Sequence, residues 1–242
     1  MRRNLDIWTK KKAGLVRLSV MGVVCGVFVA MAQTALACRQ ALVLAVDVSA
    51  SVSTREYELQ RDGIAAALRD PEVIDWIVAP AGSEVELFIF EFGNRNYQWY
   101  WVNWTKITSE AVLAQVADTV AAVQRNRESQ STGLGEAILA GADALASRTC
   151  AQKTIDVSGD GKNNVGVRPQ DVKDRLRADG ITVNGLVIAT QDIAEMSAYY
   201  NANVIVGDGS FVETAGGFED YARAMKRKLL RELVPKLAMV AE

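Results

Sequence analysis

The chain has 242 residues, half of them apolar and 23% charged, which suits one domain, or at most two, with a sizeable core. It contains no histidine, which excludes Ser-His-Asp and Cys-His catalysis, histidine general bases and most catalytic zinc sites. The near balance of 27 basic and 29 acidic residues hides a basic leader ahead of an acidic body, and an acidic body without a basic stripe argues against nucleic acid as a partner.

Residues 1–37 differ from the rest. Arg2, Arg3, Lys10, Lys11, Lys12 and Arg17 form a basic head, Leu18 to Ala32 is apolar, and Ala35-Leu36-Ala37 gives small residues at signal-peptidase spacing. This predicts a signal peptide over 1–37, cut after Ala37, and a periplasmic or secreted protein. Two alternatives stay open: a retained anchor, since Leu18 to Ala37 is just long enough to span a bilayer, and lipidation of Cys38. A membrane is a partner only in those two cases. Removal of 1–37 leaves 21 basic and 28 acidic residues, a net −7. It also removes Cys25 and leaves Cys38 and Cys150 as an even pair in an oxidising compartment. Both precede apolar strands by three or four residues. If those strands are parallel neighbours, the two cysteines lie at one end and a bridge between them is expected.

Ala41 to Asp47 is an apolar run too short for a typical helix and reads as a strand buried on both faces. Ser53 or Thr54 caps a helix to about Arg69, and Asp70-Pro71 separates it from a short second helix over about Glu72 to Val78 that ends at a Pro80-Ala81-Gly82 turn. Glu84 to Phe92 is a strand, Gly93 to Asn96 a turn, and Tyr97 to Thr105 the returning arm of a hairpin. That arm carries three of the five tryptophans. Tyr97, Trp99 and Trp101 fall on one face and Tyr100 and Trp104 on the other. They serve either as packing or as a partner surface.

Ser109 caps a helix to about Val123, and a second helix follows Ser131-Thr132-Gly133 and ends near Ser147. Lys153 to Val157 is a strand running into Ser158-Gly159-Asp160-Gly161, a loop loosened by its glycines. Pro169 to Asp179 is a helix ended by Gly180, Ile181 to Ile188 a strand, and Asp192 to Asn201 a helix. Asn203 to Val206 and Ser210 to Glu213 frame a Gly-Asp-Gly turn, and Phe218 to about Val240 is a long amphipathic helix whose basic middle reads as a solvated face. The alternation predicts a doubly wound α/β sheet, parallel apart from the Trp-bearing arm, as one domain over 38–242.

Ligands in such sheets bind beyond the carboxyl ends of the strands. Asp47, Ser49 and Ser51 stand at that place, and so does Asp160, with Thr132 in a separate loop. Asp47, Ser49 and Ser51, one carboxylate and two hydroxyls at alternating spacing, are hard oxygen donors, the set that suits Mg²⁺ or Mn²⁺. The ordered set Asp47-Val-Ser49-Ala-Ser51, Thr132 in STGLGEAI and Asp160 in VSGDG resembles the metal-ion-dependent adhesion site (MIDAS) of the von Willebrand factor A-type (VWA) domain, over essentially the whole of 38–242. CRQALVLAVDVSASVS and IDVSGDGKNN resemble in particular a subgroup of exported bacterial proteins of unassigned function.

The resemblance implies a Rossmann-like VWA fold and a divalent cation held by the hydroxyls of Ser49, Ser51 and Thr132, with Asp47 and Asp160 direct or through water. It also implies an open position for the carboxylate of a protein partner. Gly159, where many relatives have Ser or Thr, is a departure that bears on loop geometry. Asn163 and Asn164 are rim groups or turn formers. A non-enzymatic binding module is thus the expectation. A metal-assisted phosphoesterase using Asp47 is one alternative, although the chain has neither a second carboxylate two residues on nor a glycine-rich phosphate loop. An envelope-anchored structural protein is the other.

Overall fold

The computed structural model describes residues 38–78, 83–126, 129–189 and 192–233. The expected signal peptide, the Pro80-Ala81-Gly82 turn and the end of the last helix lie outside them.

The first strand, β1 (Gln40–Asp47), is buried at every position. Its alternation divides the core: Leu42, Leu44 and Val46 face one layer of helices, and Ala41, Val43 and Ala45 face the other. Strand period two on an element covered on both sides produces this split. After β1 come α1 (Thr54–Leu68), α2 (Pro71–Ile77) and β2 (Val85–Phe92). Ser53 caps α1 in a reciprocal box with Glu56, and Asp70 caps α2, whose first residue is proline. The arm β3 (Gln98–Ile107) returns antiparallel to β2 with a bulge. The other elements are α3 (Glu110–Ala122), α4 (Leu134–Leu145), β4 (Gln152–Gly159), α5 (Lys173–Ala178), β5 (Ile181–Ile188), α6 (Ile193–Asn203), β6 (Val212–Ala215) and α7 (Tyr221–Leu233).

The sheet runs β3-β2-β1-β4-β5-β6, and every neighbouring pair except β2–β3 is parallel. It is a doubly wound, Rossmann-like α/β sheet with one antiparallel edge strand. Strand order reverses between β1 and β4, so the crevice for a ligand opens beyond the carboxyl ends of those two strands. On one face α1, α3 and α7 pack around Tyr57, Leu113, Met225 and Leu229; on the other, α4, α5 and α6 pack around Ile138, Leu176 and Tyr200. Cys38 and Cys150 are disulfide-bonded, with Cα atoms 4.6 Å apart. The bridge closes the amino ends of β1 and β4, where Ala151 N–H donates to the Cys38 carbonyl at 3.0 Å. Among the described residues no helix is long and apolar enough to cross a membrane.

The structure corrects three local expectations. β4 continues through Ser158 and Gly159, which pairs with Val187, so Gly159 belongs to the sheet and not to a loosened loop. Pro169 begins a 3-10 turn (Pro169–Val172) before α5. Lastly, Lys228 in the basic stretch of α7 is fully buried, not solvated. The aromatic arm packs in part. Trp101 meets Tyr57 edge-on and Trp104 stacks on Phe88, while Trp99 and Tyr100 remain exposed.

Candidate metal centre

β1 ends at Asp47, whose side chain is wholly buried at the switch point. The chain then turns back, and its Oδ1 accepts the Ser49 N–H at 2.8 Å, an Asx-type turn that fixes the carboxylate. Gln60 of α1 donates to the Asp47 carbonyl at 3.1 Å, and Arg125 to the Val48 carbonyl at 3.2 Å, so the loop is pinned from two sides. Ser49 Oγ and Ser51 Oγ lie 3.2 Å apart, and Ser51 Oγ donates to Asp160 Oδ1 at 2.8 Å. Asp160 directly follows β4, the neighbour of β1.

Thr132 is buried just before α4. Its hydroxyl oxygen lies 3.4 Å from where a Cβ on Gly161 would stand, so it faces the Asp160 loop. Two asparagines fasten this junction. Asn164 Oδ1 accepts Thr132 N–H at 2.8 Å and Asn163 Oδ1 accepts Gly135 N–H at 3.1 Å. They work as cross-loop ties and not merely as turn formers. The fold thus brings all five sequence-predicted residues to one edge of the sheet. All are buried except Ser51, which stands at the open side.

The electrostatics are unbalanced. Burial, then the nearby Asp160 charge, pushes Asp47 up to about 7 against the hydrogen bonds from Ser49. Burial also raises Asp160, opposed by the Ser51 hydroxyl. Among the described residues, no basic side chain contributes to either shift. Lys162, the nearest cation in sequence, is turned to Glu195. Asp47 Oδ2 is buried with no hydrogen-bond partner. Two carboxylates, one of them with an orphaned oxygen, and three hydroxyls form a donor set that fits a hard divalent cation. A different grouping, Cys38, Glu86 and Cys150, also comes together. Its sulfurs are in the disulfide and Glu86 pairs with Arg148, so it offers no thiolate ligand.

Sequence reasoning missed two buried groups here. Glu91, fully buried near the end of β2, accepts from the Tyr57 and Tyr97 hydroxyls and from Trp101 Nε1 and ties α1 to the aromatic arm. Its signal was a lone acid at an inward strand position. Tyr200 of α6 is fully buried with an unpartnered hydroxyl. Burial, then the charges of Asp47 and Asp160, raises that hydroxyl well above its ordinary value.

The sheet order, helix layers and strand-end crevice are those of the VWA-type fold. The mussel byssus proximal thread matrix protein 1, solved with a zinc-occupied MIDAS motif, matches with a TM-score of 0.60 at 15% identity, over 81% of this chain and 46% of that one. The pilus adhesin SpaC of Lactobacillus rhamnosus GG matches at 0.55 and 14%, over 81% and 31%. A von Willebrand factor type A protein from Catenulispora acidiphila matches at 0.51 and 14%, over 80% and 42%. The chain therefore spans less than half the length of these three structures, and the likeness is one of fold. Within that class the chain belongs to the family described as protein of unknown function DUF1194, whose model matches residues 37–237. No curated protein is significantly similar in sequence.

Proposed function

We propose that the domain is an exported, metal-dependent protein-binding module. Asp47, Ser49, Ser51, Thr132 and Asp160 hold a divalent cation, Mg²⁺ or Mn²⁺, and the cation engages a carboxylate of a partner protein. The observation that carries this reading is the pair of buried carboxylates to whose shifts no basic side chain among the described residues contributes. Burying such charge without compensation is costly, and a divalent ion supplies the compensation. A chain without histidine, offering only oxygen at this edge, suits a hard cation better than zinc. Two carboxylates balance a doubly charged ion and leave it able to attract a further anionic group. Ser51, exposed at the rim, marks the side from which that group arrives.

A binding role fits better than hydrolysis. Asp47 is fully buried and its Oδ1 is already engaged by Ser49, so an ester phosphorus has no approach to it. The disulfide favours an oxidising compartment.

The test is thermal unfolding in millimolar Mg²⁺ or Mn²⁺ against chelator. Metal at about 100 times its dissociation constant stabilises by about 2.7 kcal/mol, and Asp47→Ala abolishes the shift. A wild-type protein that no divalent cation stabilises would sink the reading. Chelator-sensitive capture of a partner from envelope extract, lost in the same variant, then tests the binding half.

A further inference from the structure

The Tyr200 ring lies across a floor of glycines. A Cβ on Gly185 would stand 2.7 Å from Tyr200 Cδ1, and a Cβ on Gly159 would stand 2.9 Å from the Tyr200 hydroxyl oxygen. The same point above Gly159 is 2.9 Å from Asp47 Oδ2. Two strand residues without side chains, on adjacent strands β4 and β5, thus clear the space through which α6 sends a phenol hydroxyl to the end of β1. At the end of that path are two buried polar atoms, Tyr200 Oη and Asp47 Oδ2, and neither has a partner. Buried polar groups are normally paired, and one orphan donor beside one orphan acceptor in the same small space is not a packing accident.

We infer that Tyr200 is a positioning residue of the cation site. Its hydroxyl reaches Asp47 Oδ2 across a single bridging water and holds the carboxylate turned toward the crevice. Asp47 is then fixed at both oxygens, by the Ser49 N–H on Oδ1 and by the phenol on Oδ2. Groups behind a metal's own ligands act in this way, and their loss costs about 10–100-fold in affinity. The adjacent Tyr199 is committed elsewhere, its hydroxyl accepting Asn163 N–H at 3.2 Å, so α6 braces both loops of the site with consecutive tyrosines.

The inference rests on the cation reading, and calorimetric titration of Mg²⁺ or Mn²⁺ into wild type and Tyr200→Phe separates the two. The expected result is binding by both, about tenfold weaker in Tyr200→Phe. The metal-free melting temperature of that variant stays within about 4 °C of wild type, because at most one hydrogen bond is lost. A tyrosine difference spectrum on adding metal accompanies wild type and is diminished in Tyr200→Phe, a readout that a purely structural role would not move. Equal affinities in the two proteins overturn the role of Tyr200 and leave the cation reading standing. No binding by wild type removes both. Gly159→Ala, which sets a methyl between the two orphan atoms, is the second variant. It weakens metal binding in wild type and costs less in the Tyr200→Phe background, whereas additive losses would count against a shared contact.

Discussion

Two groups of buried carboxylates each draw one member from β4 or its end, Asp156 and Asp160, and they are handled in opposite ways. Asp156, in the middle of β4, faces Glu232 of α7, and Lys228 Nζ lies 2.7 Å from a carboxylate oxygen of each. Asn184 of β5 donates to the same Glu232 oxygen at 2.7 Å and accepts the Phe211 N–H. Burial works against the Lys228 ammonium, but the Asp156 and Glu232 charges outweigh it and raise its pKa. Burial, then Glu232, raises Asp156. At the carboxyl edge, Asp47 and Asp160 have no such ammonium. The inner group carries its own cation and locks α7 to the sheet. Lys228, together with a proton favoured on the raised Asp156, neutralises the inner group, whereas the outer pair suits the ligand site proposed above.

Breaking the inner cluster gives the largest effect. Lys228→Met leaves two carboxylates facing each other in the core and costs about 3–5 kcal/mol, read as lost denaturant stability at unchanged m-value, while any surviving fold still responds to metal. The outer pair behaves in reverse. A carboxyl raised from 3.8 to about 7 binds protons in the folded state that the unfolded chain has shed. The metal-free protein therefore loses stability as pH climbs through that window, by up to about 1.4 kcal/mol per pH unit, and levels off above it. Asp47→Asn removes this slope and raises metal-free stability at pH 8 by roughly 2 kcal/mol or more, while ending the response to Mg²⁺. Urea titrations of the two proteins from pH 4 to 8 check both points. A wild-type profile parallel to that of the variant would show that the outer pair is not strained. Asp160→Asn shifts metal-free stability in the same direction by less, because the Ser51 hydroxyl already favours the ionised form. A larger gain than from Asp47→Asn would reverse the ranking of the two acids.

Local chemistry made most of the architecture legible. The unbroken apolar run of β1 demanded cover on both faces, Ser53, Asp70 and Ser109 marked helix starts through their own hydrogen bonds, and Gly180 at φ +65° ended α5. The five oxygen-bearing residues were readable because each stands just past a strand or before a helix, and topology then collects them. Partners across the sheet were not readable. Lys228 and Glu232 lie on the same stripe of α7 as Met225 and Leu229, yet a lysine on an amphipathic helix defaults to solvent until Asp156 is known to lie beneath it. A lone Asp in KTIDV and a lone Asn in ITVNG were the available hints. Tyr200 was hidden for a similar reason, since only the sheet register reveals that Gly159 and Gly185 make room for it.

The covalent bridge at the other end of β1 has a mechanical side. Cys38 precedes the strand and Asp47 ends it, so the eight residues between separate the two poles of the domain by about 26 Å of extended backbone. A tug on anything gripped at the acidic rim runs down the central strand and meets a sulfur staple shared with β4. Parallel strands loaded along their length give way by shearing many hydrogen bonds together, and here even that sliding is tied off at its far end.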